Sequence, residues 1–173
     1  MSRTTVLHIR NQYLSFSAAH FTIFSATERE RLHGHNFAVS AEVTAAVGEE
    51  GLCFDYNVLK NKMRELCDAL DEYVLLPAHS PHLDVTEDGD QVRAVFNGET
   101  LTFPAGDTIV LPLANITSEE LSWYLLGQLL EGDAAVRYAI SAVAVTVASG
   151  AGQSASTRWD DTRGILGAAW PSS

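Results

Sequence analysis

The sequence predicts an α+β domain: an antiparallel sheet with two helices packed on one face and a hairpin inserted between the helices. Three observations predict it. Residues 14–20 and 37–43 alternate apolar with polar or small side chains at a period of two, the pattern of half-buried strands. Residues 59–70 and 121–130 space their apolar side chains three and four apart, the pattern of amphipathic helices. Asn97-Gly98 separates two further alternating runs, which is the signal of a tight hairpin turn. The chain of 173 residues is a single domain, residues 1–173, long enough to bury a real core.

The elements follow in order. Residues 4–19 read as one long strand, or a strand with a bulge, in which Leu14, Phe16, Ala18 and His20 share a face. His8 has no partner nearby and reads as structural or exposed. Residues 21–31 lack periodicity, so Glu28, Arg29, Glu30 and Arg31 read as a charged loop. Phe37, Val39, Ala41 and Val43 form the second strand, paired with the first. Asp55 is placed as the N-cap of a helix carrying Leu59, Met63, Leu66 and Leu70 and ending near Asp71. Cys67 lies beside that stripe and belongs to the core.

Residues 77–115 read as an insertion. It holds a proline-containing loop with His79 and His82, both structural or exposed, and then the hairpin of residues 92–103. Thr117 and Glu120 form a capping box for the second helix. Leu121, Leu125 and Leu129 give that helix its apolar face. Residues 139–148, rich in Val and Ala, form a mostly buried last strand. Residues 150–173 are small, polar and weakly patterned, a flexible tail or a partner-contact segment.

Composition excludes several classes of function. Net charge is −11, with no basic cluster to hold phosphate backbones, so nucleic acid is not expected as a partner. No apolar run reaches the length of a membrane span, and the N-terminus has no basic region followed by an apolar one. The expected location is the cytoplasm, with no membrane partner. Two cysteines, Cys53 and Cys67, fit a reducing compartment.

The chemistry is concentrated in His20, His33 and His35. Residues i and i+2 of a strand share a face, so His33 and His35 can meet one ion, and an adjacent antiparallel strand ending in His20 can supply a third imidazole. Three neutral imidazoles with an open fourth position suit a catalytic zinc ion. Other readings stand beside this one. A lone histidine is more often structural or solvated. A cupin-type site would want a carboxylate four or five residues after His35, where Phe37 to Ala41 stand instead. A two-histidine, one-carboxylate iron site would want an H-x-D or H-x-E, and none occurs.

Phe16-Ser17-Ala18-Ala19-His20, Leu32-His33-Gly34-His35-Asn36, Asp55-Tyr56-Asn57-Val58-Leu59-Lys60, Leu70-Asp71 and Thr117-Ser118-Glu119 occur in one order. In that order the chain resembles 6-pyruvoyl- and 6-carboxy-tetrahydropterin synthases over residues 14–147. The resemblance implies a T-fold, or tunnelling fold, whose copies join sheets edge to edge into a homo-oligomer, a trimer or hexamer, with active sites between subunits. It implies Zn2+ held by His20, His33 and His35, and a pterin-like substrate such as 7,8-dihydroneopterin triphosphate.

The catalytic pattern departs from that family. Arg29 stands where the family's catalytic cysteine would be, and a guanidinium stays protonated. An arginine there could instead bind an anionic group of a ligand. Asp71 matches the family's aspartate, but Glu72 replaces the histidine that follows it. Glu119 of the Thr-Ser-Glu motif is kept as a substrate-binding residue, or else is a helix-start acid. The carboxylate expected near Val147-Ala148-Ser149 is absent. Glu30, three residues before His33, can serve as the base in its place, as in relatives that cleave the dihydroneopterin side chain to a 6-hydroxymethyl pterin. Otherwise it is a surface charge. The expected catalytic set is therefore Asp71, Glu30 and Glu72, with Glu119 and Arg29 binding substrate. Two further readings are a zinc-retaining binding protein without lyase activity and a zinc enzyme whose pocket was rebuilt around the insertion.

Overall fold

The computed structural model describes residues 3–132, 134–162 and 164–165. Its main sheet has seven strands in the order β10-β9-β8-β2-β1-β3-β7. The long central strands are β1 (Thr4–His20), β2 (His33–Ala46) and β8 (Ile140–Gly150), flanked by β9 (Gln153–Asp160) and β10 (Gly164–Ile165) on one side. On the other side lie β3 (Tyr73–Pro77) and β7 (Thr108–Leu111). Two helices, α1 (Asn57–Asp68) and α2 (Ser118–Leu130), pack on one face. A short α3 (Ala134–Arg137) leads into β8.

The long strands form because their inward positions are apolar and their outward ones polar or small. Leu14, Phe16 and Ala18 of β1 and Phe37, Val39, Ala41 and Val43 of β2 are buried, and Phe16 stacks on Phe37 with ring centroids 5.0 Å apart. The helices complete this core with Leu59, Met63 and Cys67 from α1 and Leu121, Leu125, Leu126 and Leu129 from α2.

One irregularity in β1 decides where the site lies. Up to Arg10, β1 pairs with β2 in a register that sets Leu7 opposite Val43 and Ile9 opposite Ala41. Between Arg10 and Ser15 the register shifts, and thereafter Phe16 faces Phe37, Ala18 faces His35 and His20 faces His33. The inward residues of β1 are therefore odd-numbered before the shift and even-numbered after it, while those of β2 stay odd. In this bulge Asn11 Oδ1 accepts a hydrogen bond from Tyr13 N at 3.1 Å. Side chains alternate strictly along a strand, so without the shift His20 would point away from His33 and His35.

Several expectations need correction. The sheet is mixed: β1–β3 and β3–β7 are parallel, and only β10 through β1 are antiparallel. Both parallel strands are short, which leaves too few residues for a readable period. The 77–115 segment thus contributes β7 to the main sheet. It also forms a separate three-stranded antiparallel sheet of β4 (Asp84–Asp88), β5 (Gln91–Phe96) and β6 (Glu99–Pro104). The predicted hairpin is β5–β6, and Asn97 and Gly98 take φ of 47° and 81°, as its tight turn requires. This sheet has its own core of Phe21, Leu76, Leu83, Val92, Ala94 and Phe96.

Asp55 does not cap α1. Tyr56 occupies the N-cap without a side-chain bond, and Asp55 Oδ1 instead accepts from Asn57 N at 3.0 Å, closing a local turn. The helix ends at Asp68, before Leu70 and Asp71. Thr117 does cap α2, its Oγ1 accepting from Glu120 N at 3.3 Å, but Glu120 reaches past it to Ala114 N at 3.0 Å. Residues 153–160 of the expected tail are strand β9, held by pairing with β8; residues 166–173 lie outside the described residues. Among the described residues no helix is long and apolar enough to cross a membrane.

Candidate metal centre

His20 ends β1 and His33 begins β2, and the register sets them opposite one another with His35 one inward position along. Their ring centroids are 4.7 Å (His20–His33), 5.3 Å (His20–His35) and 4.8 Å (His33–His35) apart. One ligand nitrogen from each lies within 4.8 Å of the others, so the three side chains can hold a metal ion. Phe37 forms the floor, its ring 5.4 Å from that of His20 and 5.7 Å from that of His35.

Hydrogen bonds fix the tautomers. His20 Nδ1 lies 2.9 Å from the carbonyl oxygen of Ile116, and His33 Nδ1 lies 2.7 Å from that of Arg31. A carbonyl only accepts, so each Nδ1 carries the proton and each Nε2 of the neutral rings presents a lone pair. Nε2 of His20 is buried without a hydrogen-bond partner. Nε2 of His33 lies 3.1 Å from Nε2 of His35. A buried lone pair facing two other imidazoles is costly as it stands, and a cation among them would satisfy it. Burial lowers the pKa of His20, offset in part by the Ile116 carbonyl and reinforced by His33 and His35, and this keeps the ring neutral and able to ligate.

His20 and His35 line a cleft of about 440 Å³. Glu30, Thr22, Thr117, Glu119, Ser149 and Gln153 are among its walls. Glu30 enters on the loop after β1, where Ile23 and Arg29 form an isolated bridge and Glu30 N donates to Thr22 O at 2.8 Å. Its Oε2 accepts from Thr22 N at 3.0 Å and stands 3.9 Å from His33 Nε2. Partial burial alone would raise the pKa of Glu30, but the Thr22 hydrogen bonds and the neighbouring imidazoles outweigh it and hold the carboxyl below its ordinary value.

The other predicted residues divide. Glu119, exposed in the first turn of α2, lines the cleft. Arg29 does not. Its guanidinium lies over the rings of Phe21 (5.0 Å) and Phe96 (5.5 Å) and donates to Glu30 O at 2.9 Å and Glu99 Oε2 at 3.1 Å. Asp71 and Glu72 do not line the cleft and sit instead at the edge of β1, where Glu72 N donates to Ser17 O at 2.7 Å. Asp71 Oδ1 accepts from Ser17 N at 2.6 Å, and Glu72 borders a second hollow of about 540 Å³ with Ser17, Asn36 and His35, the last of which also lines the cleft. Cys67 is buried in the core and Cys53 lies near Ala45, so neither reaches the cleft. Reasoning from sequence did not identify Thr22, Asn115 or Ile116. Their contributions are backbone groups or loop hydrogen bonds, which leave no periodic trace.

The profile of the family described as 6-pyruvoyl tetrahydropterin synthase matches residues 9–156. A protein of Methanocaldococcus jannaschii, provisionally named 6-carboxy-5,6,7,8-tetrahydropterin synthase, is 25% identical over 147 residues, covering 84% of this chain and 90% of that protein. The structure of Plasmodium vivax 6-pyruvoyltetrahydropterin synthase is similar with a TM-score of 0.86 and 29% identity, covering 91% of this chain and 99% of the other. A variant of that enzyme, in which a glutamate described as a catalytic residue is replaced by alanine, gives the same TM-score of 0.86 at 28% identity and the same coverage, 91% and 99%.

Proposed function

Because the chain belongs to the 6-pyruvoyl tetrahydropterin synthase family, we propose that it is a zinc-dependent enzyme acting on the side chain of 7,8-dihydroneopterin or its triphosphate. His20, His33 and His35 would hold the ion and Glu30 would move the proton. The observation that carries this reading is the convergence of three imidazoles, two of which, His20 and His35, line an open cleft together with Glu30.

Zinc, when bound, would polarise a hydroxyl or carbonyl of the substrate side chain. The protein's own residues supply the rest. Glu30, ionised at neutral pH, accepts a proton from the substrate at the mouth of the triad. Thr22 N holds the other side of that exchange by fixing the carboxylate's orientation. Phe37 closes the floor and keeps water from the ring faces. Glu119, which lines the same cleft, would accept hydrogen bonds from the pterin ring. Asp71 and Glu72 do not line the cleft, and in a trimer or hexamer they would join the chemistry across a subunit boundary. Arg29 acts on Glu30 through its backbone rather than on the substrate.

A second reading is favoured by one observation. The cleft has a carboxylate and no thiol among its lining residues. A carboxylate base suits deprotonation of a side-chain hydroxyl, after which the neighbouring carbon–carbon bond breaks, the hydroxyl-bearing fragment leaves as an aldehyde and the carbon left on the pterin takes up the proton to give a 6-hydroxymethyl pterin.

Zinc-loaded protein incubated separately with 7,8-dihydroneopterin triphosphate and 7,8-dihydroneopterin decides the matter. Release of triphosphate supports a synthase, and a 6-hydroxymethyl product supports cleavage. Pterin binding without turnover identifies a binding protein, and neither binding nor turnover contradicts the pterin reading.

A further inference from the structure

Asn115 lies in the loop before α2 and makes three side-chain hydrogen bonds, all to backbone. Its Oδ1 accepts from Ile23 N at 3.1 Å and from Ile116 N at 3.0 Å, and its Nδ2 donates to Ile23 O at 2.8 Å. It thereby ties the segment just after His20 to the residue whose carbonyl binds His20. Ile116 is itself fully buried, so its peptide has little freedom once Asn115 holds it. Its carbonyl, 2.9 Å from His20 Nδ1, keeps the proton on that nitrogen and aims Nε2 at His33 and His35.

We infer that Asn115 is a positioning residue of the metal centre: it fixes the Ile116 carbonyl that orients His20, and so sets how tightly the triad binds a divalent ion. The inference rests on the metal reading above but makes a separate claim. A partner that orients a ligating histidine typically changes metal affinity ten- to a hundredfold when removed. Here the partner is a backbone carbonyl that mutation cannot delete, and Asn115 is the side chain through which it can be displaced. Glu120 provides the internal control. It braces the same loop through Ala114 N at 3.0 Å but makes no bond to Ile116.

The test titrates the full-length chain with zinc alone against a chromophoric chelator, in wild type, Asn115→Ala, Asn115→Asp and Glu120→Ala, with the melting temperature of each metal-free protein measured alongside. Asn115→Ala is expected to weaken zinc binding about ten- to a hundredfold. Asn115→Asp keeps the acceptor for Ile116 N but sets a carboxylate oxygen against the Ile23 carbonyl, so it should recover only part of that loss. Glu120→Ala should lower the melting temperature without moving zinc affinity. If Asn115→Ala does not fold, Asn115→Ser takes its place with the same expected weakening. Zinc affinity equal to wild type in the Ala or Ser variant, or an equal loss in Glu120→Ala, overturns the inference while leaving the metal reading intact. Absence of zinc binding by wild type overturns both.

Discussion

The carboxylate of Glu30 stands 3.9 Å from Nε2 of His33 while its Oε2 accepts from Thr22 N at 3.0 Å. It is beside the ligand edge of the triad, outside direct hydrogen-bond range, and is held there by the backbone of its own loop. A base in that place can take a proton from a molecule seated on the ligands without competing for the ion. Glu30→Gln keeps the shape and the Thr22 contact but removes the proton acceptor. Turnover should fall about 10²- to 10⁴-fold with zinc content unchanged. Steady-state kinetics and metal analysis on the same preparation check this, and unchanged turnover would remove Glu30 from the mechanism.

Arg29 is the second prediction. Its side chain is only 16% exposed and joins the β4–β6 sheet to the loop that carries Glu30. Two ring faces and a partly buried carbonyl depend on it, while Glu99, largely exposed, adds little. Arg29→Ala should lower unfolding free energy by roughly 2–3 kcal/mol. Urea denaturation measures it, and zinc content should not change, because the Arg29 guanidinium contacts Phe21, Phe96, Glu30 and Glu99 rather than a histidine of the triad.

Cys67 supplies a pH dependence. Burial in the helix–sheet core, with Asp68 and Asp71 nearby, pushes its thiol up to about 12. The unfolded chain ionises this thiol near 9, so above that pH the unfolded state holds fewer protons than the folded one. Stability contributed by Cys67 is therefore fully present below pH 9 and lost as pH rises toward 12, by about 1.4 kcal/mol per pH unit. Denaturation curves between pH 8 and about 10.5 should slope down in wild type and less so in Cys67→Ala. In the same range a thiol reagent should label the half-buried Cys53 of folded protein and spare Cys67 until unfolding.

Much of this architecture is legible in the residues, for particular reasons. His33 and His35 are two apart, and the alternation from Leu14 to His20 is unbroken, so strand period alone puts the first two on one face and His20 on the apolar face of its own strand. Thr117 announces α2 through a local bond that sequence spacing encodes. What the sequence hides is long-range. β3 and β7 are too short to show a period, and their parallel pairing depends on residues some 34 positions apart, as with Val74 and Thr108. Arg29 reads as one of four loop charges, and only the β5 and β6 strands reveal that it is buried against Phe96. Asn115 is one polar residue in a loop, and its role exists only because β1 ends beside it. The bulge between Arg10 and Ser15 is legible as a possibility, but its consequence for the direction of His20 requires the register.

The account depends on the three imidazoles sharing one ion, and metal stoichiometry tests that most directly. Protein purified in zinc-supplemented buffer and passed through a desalting column should carry about one zinc per chain by elemental analysis, and His20→Ala, His33→Ala and His35→Ala should each carry almost none while remaining folded. A wild-type chain without any transition metal, or a folded single variant that keeps full zinc occupancy, would contradict it.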